Sequence, residues 1–256
     1  DKSVTYIYDI FSKKLTEVAP FTVDLLLPSG AENLNYVLYT DESPYKMQRE
    51  WLDRLPFDIY SVNVHTGAKR LIGRSYRTAP KWSVNGKWAV MYDPIAQVWN
   101  KFDGATGKVV NISDAIGYPM FMESYDKPAP APAYGIAGWT ADGNNVFLYD
   151  AYDWWKIDLT GERQPECLTK GYGRKHGKSI RKMTSNIDKD VFQKDEKVIV
   201  SLWDKDTMDE GVYQLDMKGR LRKYILYIVF LTIMSIAFGI CLLYTSPSPR
   251  DRSLSR

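Results

Sequence analysis

The chain has 256 residues, 45% hydrophobic and 25% charged, which fits one large globular domain or two small ones. A net charge of +3, much of it from arginines in the last sixteen residues, and the lack of a basic stripe argue against a nucleic-acid-binding surface. Two cysteines, Cys167 and Cys241, are too few for a disulfide framework, and eight Trp with eighteen Tyr favour strands and tight turns.

The opening DKSVTYIYDI begins mid-strand, as expected of a piece whose true N-terminus lies elsewhere. From Asp1 to about Gly219, short strand-like runs alternate with turn signals and sustained helical periodicity is hard to find. Val4–Val18 reads as the tail of a repeat unit. NLNYVLYTD (Asn33–Asp41) is a weak copy of a pattern that is clearest in KWSVNGKWAVMYD (Lys81–Asp93) and GWTADGNNVFLYD (Gly138–Asp150). That pattern is Trp, a turn ending in Gly, then an apolar strand closing on Tyr-Asp. Trp82 and Trp139 lie 57 residues apart, as do Asp93 and Asp150. KDEKVIVSLWD (Lys194–Asp204) is a fourth copy.

A hairpin follows each copy. Phe57–Ile72 turns at Thr66-Gly67, Val98–Ile112 at Thr106-Gly107 and Asp153–Leu168 at Thr160-Gly161, while Gly211–Gly219 starts another. Each unit therefore reads as strand, turn, strand, longer loop, strand, tight turn, strand. Such a sheet cannot bury both faces alone, and recurrence every 40 to 60 residues predicts an all-β fold. The expectation is an incomplete β-propeller of about four four-stranded antiparallel blades, with the leading Trp packing blade against blade. A β-sandwich is the alternative. Two loops interrupt the pattern: Asp41–Pro56, with room for one helical turn, and the Pro-Ala-rich Ser124–Gly135, expected to be an extended connector.

Chemistry-bearing motifs are sparse. The sequence has no Gly-x-Ser-x-Gly elbow, no zinc spacing and no phosphate loop. His65, beside a hairpin turn, and His176, in the basic stretch GYGRKHGKSIRK (Gly171–Lys182), read as surface polar residues. That stretch itself reads as a solvated loop, with docking to an acidic surface as the alternative. Asp204–Glu210 has the carboxylate count of a calcium loop without its central Gly and distal Glu, and reads as an inter-strand loop. No catalytic, cofactor-binding or metal-binding residue is assigned, and no cofactor is expected.

The stretch APAYGIAGWTADGNNVFLYDAYDWWKIDLTGERQPECLTKGYGR (Ala131–Arg174) resembles the N-terminal propeller of large bacterial serine peptidases of the prolyl oligopeptidase family. The matching features are Tyr134–Trp139, the strand pair Tyr152–Asp158 and the closing Leu168-Thr169, with looser similarity over residues 1–219. The resemblance implies a propeller that caps a C-terminal α/β-hydrolase domain carrying a Ser-Asp-His triad. It also implies a peptide substrate and a periplasmic or secreted protein. The triad is not in this chain, so the fragment itself is not expected to be catalytic. The adjacent Glu pair that dipeptidyl members use to hold a peptide amino terminus is absent from the sequence, against a dipeptidyl mode. The rival reading is a non-enzymatic module similar to TolB-type propellers, with a membrane anchor.

The anchor question concerns the C-terminus. Tyr224–Tyr244 carries no charge and has about the length of a transmembrane helix, with Arg220, Arg222 and Lys223 before it. However, CLLYTSPSPRD (Cys241–Asp251) resembles an in-frame translation of a sequencing-library adaptor. Three segments are expected: 1–219, a propeller fragment; 220–240, an apolar segment with helical character, membrane-spanning or a non-native join; and 241–256, adaptor read-through. Contact with a membrane is expected only if 224–240 is native. A propeller fragment over 1–219 would leave two blade faces uncovered, and such a fragment is expected to aggregate.

Overall fold

A computed structural model describes residues 4–20, 23, 25–29, 35–52, 54–183 and 190–223. The apolar run 224–240 and the closing stretch 241–256 lie outside the described residues. Within them, no helix is long and apolar enough to cross a membrane.

The chain forms successive antiparallel sheets, taken here in chain order. Sheet 1 is the hairpin β1 (Thr5–Asp9) and β2 (Lys14–Ala19). Sheet 2 is β3 (Leu25–Pro28), β4 (Tyr36–Asp41), β5 (Phe57–Asn63) and β6 (Lys69–Tyr76), in that spatial order. Sheet 3 repeats the meander with β7 (Lys81–Trp82), β8 (Trp88–Asp93), β9 (Val98–Asp103) and β10 (Val109–Asn111). Sheet 4 does so with β11 (Ile136–Thr140), β12 (Asn145–Tyr149), β13 (Trp154–Asp158) and β14 (Glu166–Cys167). Sheet 5 contains β15 (Lys178–Lys182), β17 (Lys197–Asp204), β18 (Glu210–Asp216) and β19 (Leu221–Lys223). The short β16 (Val191–Phe192) joins sheet 4 instead, pairing in parallel with β11.

The turns repeat as faithfully as the strands, for a local reason. The described turns between second and third and between third and fourth strands each open with Asp or Asn, whose side-chain oxygen accepts the backbone N–H two residues ahead and in most also the one three ahead, an Asx turn. Between third and fourth strands these residues are Asp9, Asn63, Asp103, Asp158 and Asp216. Between second and third strands they are Asp41, Asp93, Asp150 and Asp204. Ionised oxygens bonded to amides hold a proton poorly. Hydrogen bonds from Ser12 and Phe11 lower Asp9 below the ordinary 3.8, and the Thr207 and Asp206 amides lower Asp204 likewise.

Period-two alternation then assigns each face to a neighbour. In β8, Ala89 and Met91 pack back on Leu38 and Ile59 of sheet 2, whereas Val90 and Tyr92 pack forward on Trp139, Val146 and Leu148 of sheet 4. In β12, Val146 and Leu148 face back, and Phe147 and Tyr149 face forward to Val200, Leu202 and Leu215 of sheet 5. Sheets 1 and 2 meet through Val18, Tyr39 and Val62. Four clusters thus lie between consecutive sheets, face to face, which is the construction of propeller blades. The fold is an incomplete β-propeller of about four four-stranded blades preceded by an outer hairpin.

Trp82 and Trp139 occupy equivalent places. Trp82 stands opposite Ala89 and Trp139 opposite Val146, each pair with the same spacing, and both indoles pack on the preceding sheet. The Trp82 indole N–H also donates to the Leu27 carbonyl of β3 at 2.9 Å.

The end sheets leave one face each without cover among the described residues. Tyr8 precedes Asp9 as Val62, Phe102, Ile157 and Leu215 precede their own turn residues. Those four are at most 2% exposed against the preceding sheet, whereas Tyr8 is 56% exposed. At the other end Trp203 is 41% exposed, where the corresponding Tyr92 and Tyr149 are 2% and 8% exposed against the next sheet.

Of the two interrupting loops, Asp41–Pro56 contains the expected short helix, a 3-10 turn over Ser43–Gln48. The Pro-Ala-rich segment runs without regular strands apart from one bridge, Phe121 to Ala133. It is held to the sheets by the Tyr92 hydroxyl, which donates to the Ala131 carbonyl at 3.1 Å.

Candidate functional site

Two groups of polar residues collect at one end of the sheets, where the connections between second and third strands and those between blades emerge. The first surrounds Asp150 and Asp153, 0% and 1% exposed at the turn between β12 and β13. One Asp150 oxygen accepts the amides of Tyr152 and Asp153. The other accepts the Trp155 indole at 3.1 Å and the Arg174 guanidinium at 2.8 Å. Asp153 accepts the Thr169 hydroxyl at 2.6 Å and the amides of Gly173 and Arg174 at 2.9 and 3.0 Å. Arg181 donates to the carbonyls of Asp150, Ala151 and Ile180, with its guanidinium 4.7 Å from the Tyr149 ring. Arg174 lies 3.9 Å over the Tyr118 ring.

This geometry corrects the reading of Gly171–Lys182 as a solvated loop. Tyr172–Lys175 is one helical turn, Lys178–Lys182 is β15, and the two arginines bind carboxylate and carbonyl oxygens instead of water. Burial penalises the Arg174 charge, yet hydrogen bonding to Asp150 outweighs it and raises the pKa; for Arg181 burial dominates and lowers it. Every carboxylate oxygen in the group is occupied by protein donors. The network therefore fastens sheet 4 to sheet 5, with both acids buried and bonded to protein donors. The sequence signal was two Asp residues beside adjacent Trp residues, Trp154 and Trp155; a run of cations does not disclose which acids fold onto it.

The second group lines a cleft of about 430 Å³ between the Asp41–Pro56 loop and the Pro-Ala-rich segment. It is lined by Trp51 and Leu52 of the first loop, Tyr92 and Pro94 at the end of β8, and Tyr125, Pro128, Pro130 and Pro132 of the Pro-Ala-rich segment. Arg54, Arg77 and Lys127 reach into it. A second hollow of about 500 Å³ is lined in part by the same Leu52, Arg54 and Arg77, so the two are adjacent. Burial pushes the Tyr92 phenol up to about 12, with the Asp93 charge assisting, so it stays a neutral donor to the Ala131 carbonyl at physiological pH. Nothing in the linear sequence joined these residues: they come from two blade-to-blade connections and two loops.

The other candidates read from sequence are dispersed. His65 sits by its turn with Nε2 3.3 Å from the Asn35 side-chain oxygen, and the His176 ring lies tilted against Tyr172 at 4.4 Å between ring centres. Asp204–Glu210 is the hairpin loop between β17 and β18, organised by the Asp204 carboxylate. Cys167 is half-buried; burial raises its thiol pKa, and its sulfur accepts the Gly171 amide at 3.2 Å.

No known protein family and no curated protein matches the chain. Solved structures do. A prolyl endopeptidase is 16% identical, with 84% of this chain and 31% of that one covered and a TM-score of 0.42. The acylaminoacyl peptidase of Pyrococcus horikoshii is 11% identical, with coverages of 85% and 34% and a TM-score of 0.39. TolB from Acinetobacter baumannii is 12% identical, with coverages of 86% and 48% and a TM-score of 0.36. The chain thus spans less than half of each of these proteins. Likeness at this level says nothing of activity, and the fold rests on the sheets described above.

Proposed function

We propose that this chain is the substrate-docking and gating propeller of a serine peptidase of the prolyl oligopeptidase type, with hydrolysis carried out by an α/β-hydrolase domain outside the chain. The cleft at the loop-bearing end of the blades carries this reading. Its concave wall of aromatic and prolyl side chains, with a few cations, is the surface a short peptide needs to dock. The resemblance of Ala131–Arg174 to that peptidase group supports it from sequence. In this reading the blades exclude folded proteins, the cleft holds the peptide, and the missing domain supplies nucleophile, base and oxyanion hole. The protein works outside the cytoplasm, in the periplasm or secreted.

The gene decides between this and an anchored TolB-like binder. Resequencing the locus past codon 219 should show continuing blades and then a Gly-x-Ser-x-Gly elbow followed by Asp and His. The protein so encoded should cleave short peptides and react with a serine-directed fluorophosphonate. A stop codon directly after the apolar run, with no such elbow, overturns the peptidase reading in favour of the binder.

A further inference from the structure

The cleft carries more chemical information than its shape. Arg54 and Arg77 border both of its lobes, and Lys127 closes the first. Among the described residues no carboxylate lines the first lobe, and neither arginine has a hydrogen-bond or ion-pair partner there. Arg174 and Arg220 each pair with a carboxylate at 2.6–2.8 Å and Arg181 binds three carbonyls, whereas the other arginines without a side-chain partner, such as Arg163, do not line this cleft. The second lobe has one acid among its described lining residues, Glu42, whose carboxylate lies 3.7 Å from the Arg49 guanidinium.

The surrounding wall is apolar. Trp51 is 72% exposed, a large indole with no ring partner among the described residues, and it lines the same cleft as Pro128, Pro130 and Pro132. Such a wall accepts flat rings, aromatic or prolyl. Two guanidiniums beside it favour a planar anion that can take paired N–H donors. A volume of about 430 Å³ is that of an ordinary ligand pocket, roughly 300–1,000 Å³.

We infer that the cleft between Trp51 and Pro128–Pro132 binds a peptide through a carboxylate held by Arg54 and Arg77, with the neighbouring aromatic or prolyl residue stacked on the exposed Trp51 indole. This rests on the docking reading above and adds selection for an acidic group. The carboxylate comes from the chain terminus or from a side chain, and the test separates the two.

Binding of three peptides to the full chain is measured by calorimetry: Ac-Ala-Pro-Phe with a free terminal carboxylate, the same peptide as its amide, and an amide extended by one Glu. The free acid, the Glu amide or both should bind about tenfold or more tightly than the simple amide. Which one does so identifies the source. Arg54→Gln and Arg77→Gln should each remove that preference, and Arg163→Gln, on the exposed hairpin beyond β13, should not. Circular dichroism checks folding; Arg54 is on an exposed loop, so its variant serves if the Arg77 variant misfolds. Equal binding of all three peptides overturns carboxylate selection and leaves docking standing. No binding of any of them overturns both.

Discussion

The junction between sheets 3 and 4 and the junction between sheets 4 and 5 are assembled differently although both bury aromatic residues. In the first, no strand of one sheet pairs with a strand of the other: Trp139 packs back on Val90 and Tyr92, the Asn85 side-chain amide donates to the Asp142 carbonyl at 2.9 Å, and β7 is the unpaired inner edge of its sheet. In the second, the inner strand of sheet 5 is divided. β15 pairs with β17, the chain departs after Met183, and β16 returns to bond the backbone of β11, with the Trp139 amide donating to the Asp190 carbonyl at 2.7 Å. Phe192 then takes the place of the expected leading Trp, just ahead of the turn Gln193–Glu196, and packs on Phe147 and Trp154. The difference is readable in one residue. Gly138 abuts β16, where a Cβ would lie 2.7 Å from the Asp190 carbonyl and 2.5 Å from the Phe192 ring. Its equivalent on the free edge of sheet 3 is the exposed Lys81. A glycine is needed where a neighbouring strand closes in, and any residue serves where none does.

That contrast can be broken. Trp154 is fully buried at the second junction, with rings of Phe147, Tyr149 and Phe192 at 5.2–6.4 Å and its indole N–H on the Ile180 carbonyl. Trp154→Ala should cost about 3–5 kcal/mol in urea unfolding; a loss no greater than that of a surface substitution means sheet 5 is not docked as described. Asp150→Ala strands the Arg174 charge and the Trp155 indole, and should cost about 2–4 kcal/mol, less than a wholly enclosed pair because Arg174 is 31% exposed. Faster amide exchange should then be confined to sheets 4 and 5.

Gly138→Ala should cost about 1–3 kcal/mol by forcing β16 away from β11, whereas Lys81→Ala should be nearly neutral, within about 0.5 kcal/mol. Equal effects of the two would dissolve the distinction between the junctions. The smallest effect concerns the turns. Folded Asp9 and Asp204 have pKa values below the ordinary 3.8, so their contribution is complete above that value and is lost as pH falls through the folded values. Asp204→Asn keeps the acceptor oxygen without the charge and should flatten the melting temperature's fall as pH drops below 3.8, the ordinary value beneath which the folded carboxylate titrates. An unchanged slope removes Asp204 from the acid response.

Much of the fold was legible because its determinants are local. Alternation of apolar residues, Asx turns and the spacing of Trp82 and Trp139 each act within a few residues, and they recur because every blade solves the same burial problem. Phe192 escaped notice because it lacks the Trp signature, and β16 because a two-residue strand has no periodicity. The Asp150–Arg174 network escaped because its partners lie 24 residues apart on different sheets. The cleft around Arg54 and Arg77 escaped for the same reason: loops carry little pattern, and it takes the packing of blades to bring four of them together.

By itself, then, the sequence determined the strand order, the turns and the two faces of each sheet, all consequences of side-chain period and backbone hydrogen bonding over short range. Tertiary structure alone decided which inner strand joins which sheet, where a glycine meets a neighbouring backbone, which arginines are spent on buried acids and which line the cleft. Those outcomes depend on distances between segments remote in the chain, and contact between remote segments exists only once the blades have stacked.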